Sequence, residues 1–546
     1  MSLRTRVEAL GRAVAAAPAL APLHGRTFRM LWLAWLAANM TMWMNDVAAA
    51  WLMTKLSPSP LMVALVQTAS TLPVFLLGVP SGALADTLDR RRYFAATQLW
   101  VSLNALVLAG FSLADALTAP LLLVLTFVNG IGLAMRWPVF AAIVPEVVAR
   151  AQMSPAIALN GIAMNLSRVI GPVLAGALLA AVNEAFVFAL NALLAGVAFA
   201  LILAWKSQPR TSALPGERFV GAMRVGVNFA LQSPRLKIVL LRVFLFFLQS
   251  TALIALLPLV ARDMHGGGPA TFTVMLACLG GGAIVAALYF PRWRARWDRD
   301  QFVLIGTLVQ AVLSLLIVYV HLLWVALPAM ALVGMAWISV ANSLTISAQA
   351  MLPDWVRARG MAIYQTALMG GSAAGSLLWG QLAGWTSVST AVAAAAGFGV
   401  AVSVVLRRLT VEGGADPDYS LQAPGNLPEP AVDVGPEDGP VMVTVEYLID
   451  PARAAEFSAV MQRTRRARLR QGALSWGLFR DAAQPARFIE YFVDENFIEH
   501  QRRLARFSAF DAGLREIRLA FHLGDGQPKV KRYIAQSLDV TPDRPR

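Results

Sequence analysis

Apolar residues fall in long unbroken runs from residue 30 to residue 406, each close to the length that carries an α-helix across about 30 Å of hydrocarbon. Twelve such runs predict membrane-spanning helices over 30–54, 61–85, 93–114, 120–143, 155–181, 185–205, 238–261, 271–291, 301–320, 323–347, 360–384 and 387–406. The polar breaks between them alternate in character. If the first run leads outward, the inner connections hold Arg90, Arg91, Arg92, Arg150, Lys206, Arg210, Arg218, Arg224, Arg235, Lys237, Arg292, Arg294, Arg296, Arg299, Arg357 and Arg359, while the outer ones hold little more than Lys55 and Arg262. That asymmetry predicts both termini in the cytoplasm, the arrangement of a multi-pass protein of a bacterial inner membrane. The long basic connection 206–237, interrupted by Pro209, Pro215 and Pro234, divides the helices into a bundle over 30–205 and a second over 238–408.

Composition agrees with the pattern: 57% of the 546 residues are apolar and 14% charged, against about 25% charged in soluble domains. The net charge of +14 does not point to nucleic acid, because the basic residues sit between apolar runs and are accounted for by orientation. The lone Cys278 lies inside a run and reads as packing, which excludes a disulfide framework or cysteine metal cluster; no metal and no cofactor is expected. Residues 1–29 lack the apolar core and cleavage site of a signal peptide and read as a cytosolic segment.

The two halves repeat each other. Pro145-Glu146-Val147-Val148-Ala149-Arg150 follows the fourth run, Pro353-Asp354-Trp355-Val356-Arg357 the tenth. Each is followed by a glycine-rich helix, with Gly171, Pro172 and Gly176 in the first half and Gly371 and Gly375 in the second, residues small enough for close helix packing. Two such bundles around a central site are a recurring transporter architecture.

After the second run the chain reads Gly82-Ala83-Leu84-Ala85-Asp86-Thr87-Leu88-Asp89-Arg90-Arg91-Arg92, which resembles the signature of the major facilitator superfamily; Asp89 stands where that pattern has glycine. The resemblance implies a cytosolic gate in which Gly82 permits close approach and Asp86, Arg90 and Arg91 latch the halves; a plain positive anchor is the alternative. Trp43-Met44-Asn45-Asp46-Val47-Ala48, Leu72-Pro73 and Asn165-Leu166-Ser167-Arg168-Val169-Ile170-Gly171-Pro172 resemble the branch containing the enterobactin exporter and related secretion transporters. That resemblance, over residues 26–408, implies proton-driven export of siderophores, drugs or other small molecules.

Ionisable groups deep in a span cost about 2.5–3.5 kcal/mol or more unless paired or hydrated, so they mark function. Asp46 lies about 24 Å and Arg168 about 20 Å from the cytosolic ends of their helices, close enough in depth to pair. Two readings stand: Asp46 exchanges a proton while Arg168 favours its charged form, or the two are a permanent structural pair. Arg136, about 13 Å from Pro145, either meets an anionic substrate in an inward cavity or snorkels to the interface. Asn39, Trp43, Gln67, Gln249, Trp337 and Asn342 are the other candidates for a substrate cavity, although amides in spans serve equally as helix glue.

Residues 409–440 are rich in Pro, Gly and acid and read as a flexible linker. A soluble domain over 441–536 and a tail over 537–546 follow. Strands at 441–449, 474–479, 487–493 and 529–534 with helices at 451–470 and 497–520 give the βαββαβ order of a ferredoxin-like α+β domain. It resembles the dimeric antibiotic biosynthesis monooxygenase type, through that order and the placement of Trp476, Tyr491 and His500. No acid-base constellation accompanies the resemblance, and His500 and His522 read as surface or packing residues. The domain therefore reads as a binding, dimerisation or regulatory module rather than an active oxygenase. The sequence as a whole describes an all-α membrane protein of the transporter class, not an enzyme, with membrane lipid, protons and a small-molecule substrate as its partners. A membrane-tethered monooxygenase-like enzyme or a ligand sensor acting through the tail is the alternative. An ATP-driven pump is disfavoured, since the tail has no G-x-x-x-x-G-K-[ST] loop to hold phosphates.

Overall fold

The computed structural model describes residues 20–205, 219–264, 266–294, 299–407, 418–422 and 432–536. Twelve long helices build the first of two compact units. The first half comprises α1 (Arg26–Leu56), α2 (Pro60–Thr87), α3 (Arg90–Leu113), α4 (Ala119–Val147), α5 (Met153–Ala181) and α6 (Glu184–Ala204). After a linker helix, α7 (Phe219–Gln232), come α8 (Pro234–Arg262), α9 (Pro269–Arg294), α10 (Arg299–Tyr319), α11 (Leu323–Ala350), α12 (Asp354–Trp385) and α13 (Val388–Leu406). Ten of the twelve are long and apolar enough to cross a membrane. The other two, α1 and α12, run 31 and 32 residues; Arg26, Asn39 and Asp46 in one, and Arg357, Arg359 and Gln365 in the other, lower their hydropathy.

Within the first half α3 packs on α6, α2 on α4, and α1 on α5 and α6; in the second, α10 packs on α13. Two closely packed pairs among the described helices relate the halves. At α5 and α9, a Cβ on Gly176 would lie 1.8 Å from Thr273 Oγ1, and one on Gly280 3.5 Å from the Arg168 carbonyl oxygen. At α2 and α12, a Cβ on Gly380 would lie 2.4 Å from Ala64 Cβ, and Thr68 Oγ1 is hydrogen-bonded to Ser376 Oγ at 2.8 Å. Exchanging the halves exchanges the two pairs, as the internal repeat requires. The largest apolar core runs across both halves at one end of the bundle, around Met53, Leu256, Phe272, Met330 and Val392, with Trp51 stacked on Phe272 at 6.1 Å. Toward the opposite end, Phe28, Leu31, Trp35, Phe94, Phe140 and Trp205 pack together within the first half.

The second unit is built from α7, the α11–α12 turn and the tail. In the tail, β1 (Val441–Leu448), β2 (Ser475–Arg480), β3 (Arg487–Asp494) and β4 (Lys529–Ile534) form an antiparallel sheet in the order β2-β3-β1-β4. Helix α14 (Ala454–Gln471) covers one face, packing Phe457 and Met461 on Val443, Tyr447 and Phe488. This is the ferredoxin-like topology. Three expectations need correction. The single helix 497–520 is two, α15 (Phe497–Ala505) and α16 (Ala509–Leu519), because Ser508 and Asp511 close a capping box that starts a new helix. The linker is not uniformly loose: residues 418–422 lie on the domain, with Leu421 bridged to Ser508, while 408–417 and 423–431 fall outside the described residues. The second half of 206–237, read as linker, is the helix α7.

Candidate functional site

Asp46 on α1, Arg136 on α4 and Arg168 on α5 are charged side chains deep in the described part of the first half. The expected pairing of Asp46 with Arg168 is not formed. Asp46 Oδ1 accepts a hydrogen bond of 3.0 Å from Ser70 Oγ on α2 and makes no ion pair. Arg168 lies between two indoles, its guanidinium carbon 5.4 Å from the ring centre of Trp43 on α1 and 5.3 Å from that of Trp337 on α11. Its Nε and Nη1 are buried without a hydrogen-bond partner, and so are Nε1 of Trp43 and Nε1 of Trp337. One guanidinium is thus held by aromatic faces from both halves, a contact worth about 0.5–2 kcal/mol per ring depending on desolvation. Phe247 of α8 supports the second indole edge-on at 5.5 Å.

Local sequence explains this placement. Gly171, one helical turn beyond Arg168, lets α5 close on α1: a Cβ there would sit 2.7 Å from Trp43 Cβ. Gln67 lies one turn before Ser70 and Thr71 on α2, half-buried, and Asn342 is half-buried on α11.

Arg136 is engaged by its own half. It is fully buried, with Nη1 donating to the Ala38 carbonyl and Nη2 to Asn39 Oδ1 at 3.5 Å, while its guanidinium lies 5.3 Å from the Trp35 ring. It clamps α4 to α1, and Asn39, which also donates to the Trp35 carbonyl at 2.8 Å, belongs to that clamp. Gln249 faces α13: a Cβ on Gly399 would meet its Cδ at 2.9 Å, and it lines a cavity of about 360 Å³ between α8, α10 and α13 whose wall includes the Arg242–Asp300 ion pair.

At the motif after α2, Arg90 pairs with Glu146 at 2.6 Å and Arg91 donates to the Leu203 carbonyl, so both bind elements of their own half. Gly82 lies against Pro138, its Cβ position 3.9 Å from Pro138 Cβ, and the side chain of Asp86 is outside the described ones. Asp89 caps α3, accepting from the Arg92 amide at 2.8 Å, a role glycine could not fill through a side chain. In the second half, Gly371 and Gly375 bring α12 onto α8, where their Cβ atoms would stand 2.3 Å from the Phe244 oxygen and 2.2 Å from the Leu248 oxygen. Pro172 lies inside α5.

The tail holds a buried ionic layer with no signal in the sequence pattern. Glu490 accepts from Arg468 Nε (3.1 Å), Trp476 Nε1 (3.0 Å) and Tyr447 Oη (3.1 Å). Burial raises its carboxyl, but Arg468, Arg518 and these hydrogen bonds outweigh burial and hold it below its ordinary range. Beside it Asp494 takes Arg503 Nε at 2.8 Å and contacts His500 Nδ1 at 2.7 Å. His500 is therefore a packing residue of an ionic kind; His522 Nδ1 accepts from the Leu448 amide at 3.1 Å. Among the described residues no group of acids, histidines and cysteines could hold a metal.

A two-bundle helical unit with a charged, aromatic centre shared by both halves defines a membrane transporter of the major facilitator type. A family model described as transmembrane secretion effector matches residues 17–539, and the chain belongs to that family. The Staphyloferrin A transporter of Staphylococcus aureus (strain NCTC 8325 / PS 47) is 21% identical over 254 residues, 46% of this chain and 63% of its own length. An uncharacterized MFS-type transporter, YfiS of Bacillus subtilis (strain 168), is 29% identical over 265 residues, 46% of this chain and 60% of its own. The chain thus spans under two thirds of either relative. Among solved structures, the nucleoside transporter NupG matches with a TM-score of 0.57 at 12% identity, over 70% of this chain and 99% of that one. A bacterial homolog of the lysosomal transporter Spinster, inward-facing and occupied, matches with a TM-score of 0.55 at 15% identity, over 71% and 97%. Relatives and structural neighbours alike are membrane transporters, not enzymes.

Proposed function

We propose that this chain is a proton-coupled exporter of small molecules, of siderophore or drug type, in a bacterial inner membrane with both termini cytoplasmic. Its halves rock about the centre marked by Arg168. The carrying observation is the guanidinium held between Trp43 and Trp337, indoles from opposite halves, beside a deep acid with no cation partner. A site contacted by both halves changes shape whenever they move, which alternating access demands. Asp46, bound only to a hydroxyl, is free to take up and release a proton as that motion changes its surroundings; a carboxylate locked in an ion pair would not be. The shared apolar core at one end of the bundle supports closure there and opening at the basic end. The family description supports export, and the name of the staphylococcal relative supports a siderophore-like cargo.

The tail serves regulation or assembly. Its buried acids and cations are matched to one another, which supports a structural layer rather than an oxygenase site. The outer face of its sheet exposes Met442, Phe479 and Tyr533, an apolar surface that supports dimerisation.

Inverted vesicles loaded with a pH reporter and screened with candidate compounds test this reading. The wild-type chain is expected to show substrate-dependent proton flux, Asp46→Asn to abolish that flux, and a chain truncated after Leu409 to retain it. Unchanged coupling in Asp46→Asn removes the proton role, and product conversion in place of flux would favour an enzyme.

A further inference from the structure

Four buried N–H groups without a partner gather around Arg168. Arg168 offers Nε and Nη1, and Trp43 and Trp337 each offer Nε1, all buried and all without an acceptor. Asp46, the deep acid, is engaged by Ser70 and not by Arg168. The centre therefore holds a guanidinium with no acid on it, contacted by both halves.

A guanidinium that lies against two aromatic rings, with Nε and Nη1 unmet, keeps those N–H groups for an acceptor. Its planar N–H forks match the two oxygens of a carboxylate. The surrounding indole N–H groups can only donate, so they add to the same preference. We propose, building on the transport reading above, that the cargo is an acidic small molecule whose carboxylate is received by Arg168 together with Trp43 and Trp337. The anion supplies the charge the site lacks and links α1 and α5 of one half to α11 of the other. Neutral compounds of the same shape can accept from these donors but bring no charge to the guanidinium, and cationic ones repel it, so both bind more weakly than the acid.

Three matched probe pairs test this on the full chain in lipid nanodiscs: benzoate and benzamide, salicylate and salicylamide, succinate and succinamide. Each pair differs in charge at nearly constant shape. Titration calorimetry is expected to show at least one acid binding ten-fold or more tighter than its amide, with the preference lost in Arg168→Gln and partly kept in Arg168→Lys. Trp43→Phe with Trp337→Phe, which retains aromatic faces but removes both N–H donors, is expected to reduce the preference several-fold; this arm decides the matter if Arg168→Gln does not yield a monodisperse protein. No preference for any acid, or one that survives both Arg168→Gln and the double variant, overturns the proposal. Carboxylate selectivity without proton-coupled flux sinks the transport reading alone. Coupled flux with acids and amides treated equally sinks this inference alone.

Discussion

Charges removed from water are the most expensive side chains in this protein, and each shows a different solution. Arg136 gives its two Nη groups to a carbonyl and an amide, Arg168 lies against two π faces, Asp46 takes a hydroxyl, and Glu490 in the tail gathers three donors. Depth along a helix is countable from the sequence, which is why Asp46, Arg136 and Arg168 were legible as special. Their partners were not, because the pairing of side chains on separate helices depends on rotation and tilt that no local pattern encodes. Trp337 and Trp43 stood among the candidates separately, yet nothing in either segment says that one cation lies between them. For Glu490 the consequences are quantitative. Replacing it with Gln removes the carboxylate that pairs with Arg468 and faces Arg518, and breaking a buried pair from one side costs about 3–5 kcal/mol. Hydrogen exchange of β1 and β3 in the full chain should accelerate accordingly in Glu490→Gln, and unchanged exchange would show the layer to be dispensable. The same group sets a pH dependence. Glu490 and Asp494 are both held below their ordinary values of 4.5 and 3.8, in spite of burial, by Arg468 and Arg518 for one and by Arg503 and His500 for the other. A lowered folded-state value means stabilisation that is complete above those ordinary values and lost as pH falls through the lowered ones. The tail should thus loosen in acid, not in base.

At the scale of elements, glycine decides which helices touch. The sequence shows glycine clusters in α5 and α12 but does not distinguish those that receive a neighbouring backbone from those that face open space. At Gly375 an added methyl would meet the Leu248 carbonyl oxygen at 2.2 Å, and backbone cannot step aside as a side chain can. At Gly397, nothing stands within 4 Å. Gly375→Ala should therefore separate α8 from α12 and lower the thermal midpoint of the purified protein sharply. Gly397→Ala should be neutral or stabilising by up to about 1 kcal/mol, since it removes backbone freedom from a helix interior. Equal behaviour of the two variants would mean that the α8–α12 contact is not formed. The break between α15 and α16 carries a similar lesson. Ser508-Ala509-Phe510-Asp511 is a capping-box signature, readable in principle, but the amphipathic pattern running through it suggests one helix. Helix and strand order in the tail were otherwise legible because period two and period 3.6 alternate there cleanly.

For the molecule as a whole, the element pattern announces two bundles and a tail, but not that the tail joins a compact unit with the linker helix α7. That unit is held by an arginine cage. The Arg470 guanidinium lies 5.6 Å from the Phe229 ring on α7, 5.1 Å from Tyr419 and 4.9 Å from Phe510, donates to Tyr419 Oη at 3.0 Å and faces Asp511 at 3.8 Å. Arg224 on α7 pairs with Glu495 at 2.9 Å, and Arg506 covers Trp355 at the start of α12 with its guanidinium 5.0 Å from the ring. Such contacts escape a sequence reading since they join segments separated by hundreds of residues, and a run such as Arg463 to Arg470 looks from sequence like a solvated basic face. The exposed ion pair contributes about 0–1 kcal/mol, whereas a desolvated cation over three rings contributes more, so the cage and not the pair should carry the docking. Arg470→Ala is accordingly expected to raise hydrogen exchange in Phe219–Gln232 by ten-fold or more, while Arg224→Ala changes it by less than about five-fold, the equivalent of 1 kcal/mol. Exchange in α7 that ignores Arg470→Ala, or that responds more to Arg224→Ala, would show that the linker helix is ordered by something other than the tail. The chain connecting the two bundles would then be independent of the domain that follows them.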